Sequence, residues 1–173
     1  KKDSPETKKI LQEVQKMENE GYQFEAAEAS YELLVRRITG KHKPFFIFEN
    51  AVLSHEMIGD KTPDVSAAVS LKVADKRVTK KSKGDGPVDA LGKAFSQALA
   101  EFYPQAKEVI LDDYKVRIVN SKAGTAAKVR VIIEFRDKNH VWATVGVSTN
   151  IIEASWKAIV DAYEYKLLKD SAK

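Results

Sequence analysis

The chain divides at about residue 43 by the spacing of its apolar positions. Before that point they recur at helical intervals. Ser4-Pro5-Glu6 offers an N-cap, a first-turn proline and an acid favoured by the helix dipole, followed by Ile10, Val14 and Met17 and a stop at Gly21. A second helix is predicted from about Phe24 to Gly40, with Ala27, Tyr31, Leu34 and Ile38 along one face. Both apolar faces are narrow, and short helices are marginal without tertiary packing, so the pair must lean on the rest of the chain or on a partner.

From Phe45 the period becomes that of strands. Phe46, Phe48 and Val52 mark a first strand, and Val65, Ala67, Val69, Leu71 and Val73 alternate in a second. A turn near Asp75-Lys76 leads back through Arg77–Lys83, and a helix carrying Val88, Leu91, Phe95, Leu99 and Phe102 ends at Pro104. The order then recurs: a strand over Ile110–Val119, another through Val129, Val131, Ile133 and Phe135, a turn at Asp137-Lys138-Asn139, a strand through Trp142, Val145 and Val147, and a helix from Asn150 to about Leu168. Val65 aligns with Val129 and Val88 with Ile152, a constant offset of 64 residues with no gap. Within it VDALGKAF meets IEASWKAI, so Ala90 matches Ala154 and Lys93 matches Lys157. A register held through strand, turn, strand and helix predicts internal duplication. The expected fold is α+β, a duplicated β-β-β-α domain over 44–173 with repeats at about 44–106 and 108–170, preceded by a two-helix subdomain over 1–43.

Composition narrows the chemistry. A hydrophobic content of 43% over 173 residues suffices for one modest core, and the absence of cysteine removes disulfides, thiolate nucleophiles and cysteine-ligated metals. No apolar run reaches the roughly 18 residues of a membrane-spanning helix, and the polar N-terminus does not read as a signal peptide, so a cytoplasmic location is expected. The chain opens inside a helix start without an initiator Met, which points to a fragment of something longer. The net charge of +4 is mild and mixed. A basic cluster from Lys72 to Lys83 lacks the aromatics that single-stranded nucleic acid would stack on, and suits a solvated strand edge better.

Two helix starts hold the candidate chemistry. Gly84-Asp85-Gly86-Pro87 runs straight into Val88 and Asp89, and at the matching place Ser148-Thr149-Asn150 opens the last helix. A helix N-terminus presents unpaired N–H groups and partial positive charge, and glycines let a carboxylate or phosphate approach them, although Gly and Pro at such a place also serve plain turns. A free amino acid would further need an acid for its ammonium group, and Asp85, Asp89, Asp112 and Asp113 are available, with Asp89 or Asp113 favoured. His42, His55 and His140 stand alone without metal-ligand spacing, and neither a nucleophile elbow nor a phosphate-binding fingerprint occurs. This segment is expected to hold no metal or cofactor and to be inactive by itself.

The strings NEGYQFEAAEASYELLVRR (19–37), GDGPVDALGKAF (84–95), LDDYKVRI (111–118), KAGTAAKVRV (122–131) and TVGVSTNIIEASWKAIVDAYEYKLL (144–168) together resemble the C-terminal part of the 2-isopropylmalate synthase family, and within it the citramalate synthase branch. The resemblance implies an N-terminal catalytic barrel, absent here, that uses a divalent metal to condense acetyl-CoA with a 2-oxo acid, pyruvate in that branch. It implies that residues 1–43 are linker helices. The domain from residue 44 would be a homodimerising regulator that binds the end product of branched-chain amino acid biosynthesis for feedback inhibition. The effector would be isoleucine for a citramalate synthase and leucine for a 2-isopropylmalate synthase; a domain that only dimerises is the remaining alternative. Carried over by position, the effector site would comprise Gly84, Asp85, Gly86, Pro87, Val88 and Asp89, then Ile110 and Asp113, Ala127, and Ser148, Thr149 and Asn150. Asp85 departs from the family, which commonly has Asn there, and places a negative charge beside the expected carboxylate cradle.

Overall fold

The computed structural model describes residues 4–120, 124 and 126–172. Helix α1 covers Pro5–Asn19, where the Ser4 Oγ accepts the Thr7 N–H at 3.2 Å as the predicted N-cap. Helix α2 covers Glu28–Ile38. It starts later than Phe24, because Phe24 leaves the helical path to fill a core with Ala27 and Val145. Its buried face is Ala29, Ser30 and Leu33, whereas Tyr31 is exposed. The predicted stripe was rotated because its anchor Ala27 is the N-cap residue, at φ −148°, and lies outside the helix.

Each repeat folds as expected. Strands β1 (Ile47–Glu56), β2 (Asp64–Val73) and β3 (Lys76–Lys83) form one antiparallel sheet, followed by α3 (Pro87–Ala100). Strands β4 (Ile110–Ile118), β5 (Val129–Arg136) and β6 (Val141–Ser148) form another, followed by α4 (Ile151–Ser171). The β2–β3 hairpin turns at Ala74-Asp75, with Lys76 already in β3, and beyond α3 a 3-10 turn spans Pro104–Glu108 instead of the chain simply ending its helix at the proline.

The registers repeat closely. Ser66 pairs with Lys83 as Arg130 pairs with Val147, 64 residues later. The first strands depart from that offset: Phe48 pairs with Leu71 and Leu111 with Phe135, so β1 and β4 correspond at 63. The expected gapless alignment therefore fails between the first and second strands, where the second repeat has one residue more. Each first strand carries a bulge, at Glu49 and at Asp112, and the extra acid binds an arginine, Glu49 with Arg77 at 2.6 Å and Asp112 with Arg136 at 2.8 Å.

The residues fall into two compact units, 1–43 with 110–165 and 44–109 with 166–173. In the second, α3 lays Leu91, Phe95 and Leu99 over Val65, Val69 and Leu71, with Phe46 edge-on to Phe95 at 5.2 Å. In the first, α4 covers one face of β5 and β6 through Ala154, Ala158 and Ala162, and Gly146 is obligatory because a Cβ there would collide with the Ala154 carbonyl oxygen. The two N-terminal helices find their partner within this unit. Phe24, Ala27 and Val145 form a core against which Val14, Met17, Tyr22, Leu34 and Ile132 pack. That is why β6, alone among the outer strands, is buried on both faces.

Candidate functional site

The start of α3 is an open helix N-terminus. Gly86 is the N-cap residue in extended conformation and provides no side-chain cap, while Pro87 lacks an N–H, so the N–H groups of Val88 and Asp89 have no side chain closing them off. A Cβ at Gly86 would meet nothing within 4 Å. Gly84 is different: a Cβ there would collide with the Ala90 backbone nitrogen and lie 2.7 Å from the Ala90 Cα. One glycine is required by packing, and the other leaves free space beside the helix end.

Asp89 shapes the same turn. Its Oδ2 accepts the Asp85 N–H at 2.9 Å and the Lys93 ammonium at 2.7 Å. Partial burial pushes this carboxyl upward, but the Lys93 and Asp85 hydrogen bonds outweigh it and hold it below its ordinary range. Asp89 is therefore occupied within its own turn. Asp113 is likewise engaged, with Lys115 at 2.6 Å and with the Tyr114 N–H, and the Lys115 hydrogen bond holds it low. Asp112 belongs to Arg136. Of the four candidate acids, the exposed Asp85 is the one whose carboxylate is not drawn into such a contact.

The start of α4 has the same backbone plan and opposite chemistry. Ala154 N–H donates to the Asn150 carbonyl as Ala90 N–H does to that of Gly86. Here, though, the Asn150 Oδ1 accepts the Ile152 N–H at 2.9 Å and the Glu153 N–H at 3.4 Å. Ser148 Oγ takes the Asn150 N–H at 3.0 Å and donates to Glu153 at 2.8 Å, which together with Lys157 lowers the Glu153 carboxyl. The two starts are equivalent in place, but the second is capped by its own side chains. Asn150-Ile151-Ile152-Glu153 is a capping pattern that the sequence displays and that marks this closure.

Within the second repeat, Ala127 precedes Val129, which pairs with Ser148, so Ala127 and the Ser148–Asn150 turn share one end of the sheet. Ile110 and Asp113 lie toward the other end, since Ile118 is the residue opposite Val129 and Ile110 stands eight strand residues away, about 26 Å. They also project from the face opposite α4, as the partners of Arg136 and Glu134. Gly84–Asp89 form one turn in their own unit. Of the quoted motifs, Lys122, Ala123 and Thr125 lie outside the described residues.

Other polar groups join the N-terminal helices to β6. The Ala143 N–H donates to Glu28 at 3.0 Å and the Val145 N–H to Ser30 Oγ at 3.1 Å, and burial raises the pKa of the nearby Tyr22 phenol. Arg130 donates to the Gly21 carbonyl at 2.6 Å and to Gln23 at 3.0 Å. None of these pairs has a local sequence signal, because the partners stand more than a hundred residues apart. Among the described residues no group of three or more His, Asp or Glu is placed to hold a metal, and no helix is long and apolar enough to cross a membrane.

Residues 25–167 match the model of the LeuA allosteric (dimerisation) domain. The chain belongs to that family. It is 51% identical over 168 residues to an (R)-citramalate synthase of Aquifex aeolicus, covering 96% of this chain and 32% of that protein. An (R)-citramalate synthase of Geobacter sulfurreducens is 47% identical over 166 residues, 95% of this chain and 31% of its own length. A 2-isopropylmalate synthase of Clostridium kluyveri is 34% identical over 97 residues, 56% of this chain and 17% of its own. The chain thus spans about a third of the length of its citramalate synthase relatives.

Proposed function

We propose that this chain is the C-terminal regulatory part of a citramalate synthase, which binds isoleucine for feedback inhibition and pairs with a second copy. Acetyl-CoA and pyruvate would be condensed in a metal-dependent barrel outside these residues, joined to the regulator through the helices of residues 1–43. The observation that carries this reading is the uncapped α3 start. Its free Val88 and Asp89 N–H groups suit an α-carboxylate, the space at Gly86 admits it, and the unengaged Asp85 beside them suits an α-ammonium. The departure at Asp85 thereby takes a role: the acid receives the positive end of a zwitterion. Relatives named citramalate synthase that align over nearly the whole chain favour isoleucine over leucine.

Pairing is supported by β4. On its helix-side face Leu111, Val116 and Ile118 stay exposed, the last at 64%. An edge strand with such a row is normally covered. A second copy would cover it. Ser148, Thr149 and Asn150, already capped, offer no second anion cradle. Ile110 and Asp113, too distant from that turn in their own repeat, would reach an effector only in a pocket that a second copy completes.

Isothermal titration of the chain with isoleucine, leucine and valine tests the reading. Binding of isoleucine in preference to the other two is expected. Preference for leucine would move the chain to the 2-isopropylmalate synthase reading, and no heat with any of them would leave a domain that only dimerises.

A further inference from the structure

Asp85-Gly86 is the one place in the sequence where aspartate or asparagine precedes glycine. The pairing has a chemical consequence. The backbone nitrogen after an aspartate can close a five-membered ring onto the side-chain carboxyl carbon, and glycine alone leaves that nitrogen unshielded by a Cβ. Whether the ring closes in a folded chain depends on three conditions: a carboxylate free to turn inward, an N–H not held by an acceptor, and room around both.

Asp85 and Gly86 meet all three. The Asp85 carboxylate is exposed and makes no hydrogen bond among the described residues, because the neighbouring Lys93 ammonium is held by Asp89 at 2.7 Å. The residue is anchored through its N–H, which donates to Asp89 Oδ2 at 2.9 Å, and its side chain stays loose. Gly86 offers its carbonyl to the Ala90 N–H at 2.9 Å, while its own N–H has no acceptor among the described residues. Nothing lies within 4 Å of where a Gly86 Cβ would stand.

Comparable positions are closed to the same reaction. The Lys61 N–H after Asp60 donates to the Ile58 carbonyl at 3.0 Å, and the Ala90 N–H after Asp89 is the one bonded to Gly86. Asp137 is buried, with its Oδ1 engaged by the Asn139 and His140 N–H groups. Asn150 caps α4 with its Oδ1 and is followed by the β-branched Ile151.

We propose that Asp85-Gly86 is a site of spontaneous backbone modification in the folded chain, passing through a succinimide to isoaspartate. The Gly86 nitrogen bonds to the Asp85 Cγ and gives up its proton, and one carboxyl oxygen of the protonated acid leaves as water. Water then adds back. Opening at Cγ restores aspartate, whereas opening at the Asp85 main-chain carbonyl carbon leaves the chain running through the former side chain. The net change is an isomerisation that needs no oxidant or second substrate. It lengthens the main chain by one methylene just before α3 and moves the free carboxylate onto the Asp85 Cα. The inference goes beyond the effector reading and stands whatever the helix start binds.

Ageing of the whole chain at neutral pH tests it, with one portion folded and another unfolded in urea. Isoaspartate is labelled by methyl transfer with protein isoaspartyl methyltransferase and located by fragment sequencing of the tryptic peptide 84–93, which holds both Asp85 and Asp89. The folded chain is expected to form isoaspartate at Asp85 about tenfold faster than at Asp89, and within about fivefold of the rate in urea. Gly86→Ala, whose added Cβ meets open space, should slow the reaction at Asp85 about tenfold with the fold intact. A folded rate more than about fivefold below the rate in urea would overturn the inference, because the fold would then be protecting the bond. Equal labelling of Asp85 and Asp89, or an unchanged rate in Gly86→Ala, would overturn it as well.

Discussion

At the scale of single residues, Gly84 and Gly86 are two apart and obey different physics. Gly84 faces the Ala90 backbone, so Gly84→Ala forces a shift of helix against strand and should lower stability by about 1–3 kcal/mol. Gly86 is extended and open, so Gly86→Ala should leave stability unchanged or raise it by about 0.4–1 kcal/mol by restricting the unfolded chain. Differential scanning calorimetry distinguishes the two, and titration should find effector affinity lost in Gly86→Leu with the melting temperature kept. Asp89 makes a second residue-level prediction. Its carboxyl is held low in the folded chain, so the stability it contributes is present above the unfolded pKa and fades as pH falls through the lower folded value. Thermal melts should therefore show Asp89→Asn less stable than the unsubstituted chain at pH 7, with the gap closing below about pH 4. A gap that is constant with pH would mean that the charge on Asp89 contributes nothing to folding.

At the scale of elements, the two repeats show how one backbone plan diverges. The helices start at matching positions, and the side chain at the N-cap decides what each start can do. Asn150 closes the second start, and Gly86 leaves the first open. The same divergence appears at the outer faces of β3 and β6, where basic residues of β3 meet solvent and β6 meets α2. Ser30 is central to that contact, donating to Asp161 and accepting from Val145, so Ser30→Ala leaves a buried strand N–H and a carboxylate oxygen without their partner. A loss of about 1–3 kcal/mol is expected in denaturant unfolding. A loss below about 0.5 kcal/mol would show that the remaining α2 contacts, Glu28 with Ala143, Arg37 with Asp161 and the packing of Leu33 and Leu34, suffice without Ser30.

At the scale of the molecule, the exposed helix-side face of β4 bears on assembly. Ile118 and Val116 make no core of their own, so Ile118→Glu should alter association and leave the fold intact. Sedimentation velocity is expected to show a dimer for the unsubstituted chain and a monomer for the variant, with unchanged circular dichroism. A dimer in both would move the interface elsewhere. Because the chain spans about a third of its relatives, the outcome also tells whether this part can pair without the remainder.

The sequence alone determined the elements, their order and the duplication, because alternation at period two and helical recurrence are local consequences of burying one face. It also identified the family through strings such as GDGPVDALGKAF. The bulges at Glu49 and Asp112 and the single-residue slip of the first strands were hidden, since register depends on pairing partners that local patterns do not name. The helix starts were legible as positions. Which one is open could be decided only by following each N–H to its acceptor, and the same holds for the acids, since Asp89 and Asp113 read as available until Lys93 and Lys115 are seen to occupy them. Least legible was the place of the N-terminal helices. Their narrow faces called for a partner, but Ser30 meets Asp161 across 131 residues of chain, a distance at which only the folded structure brings the two together.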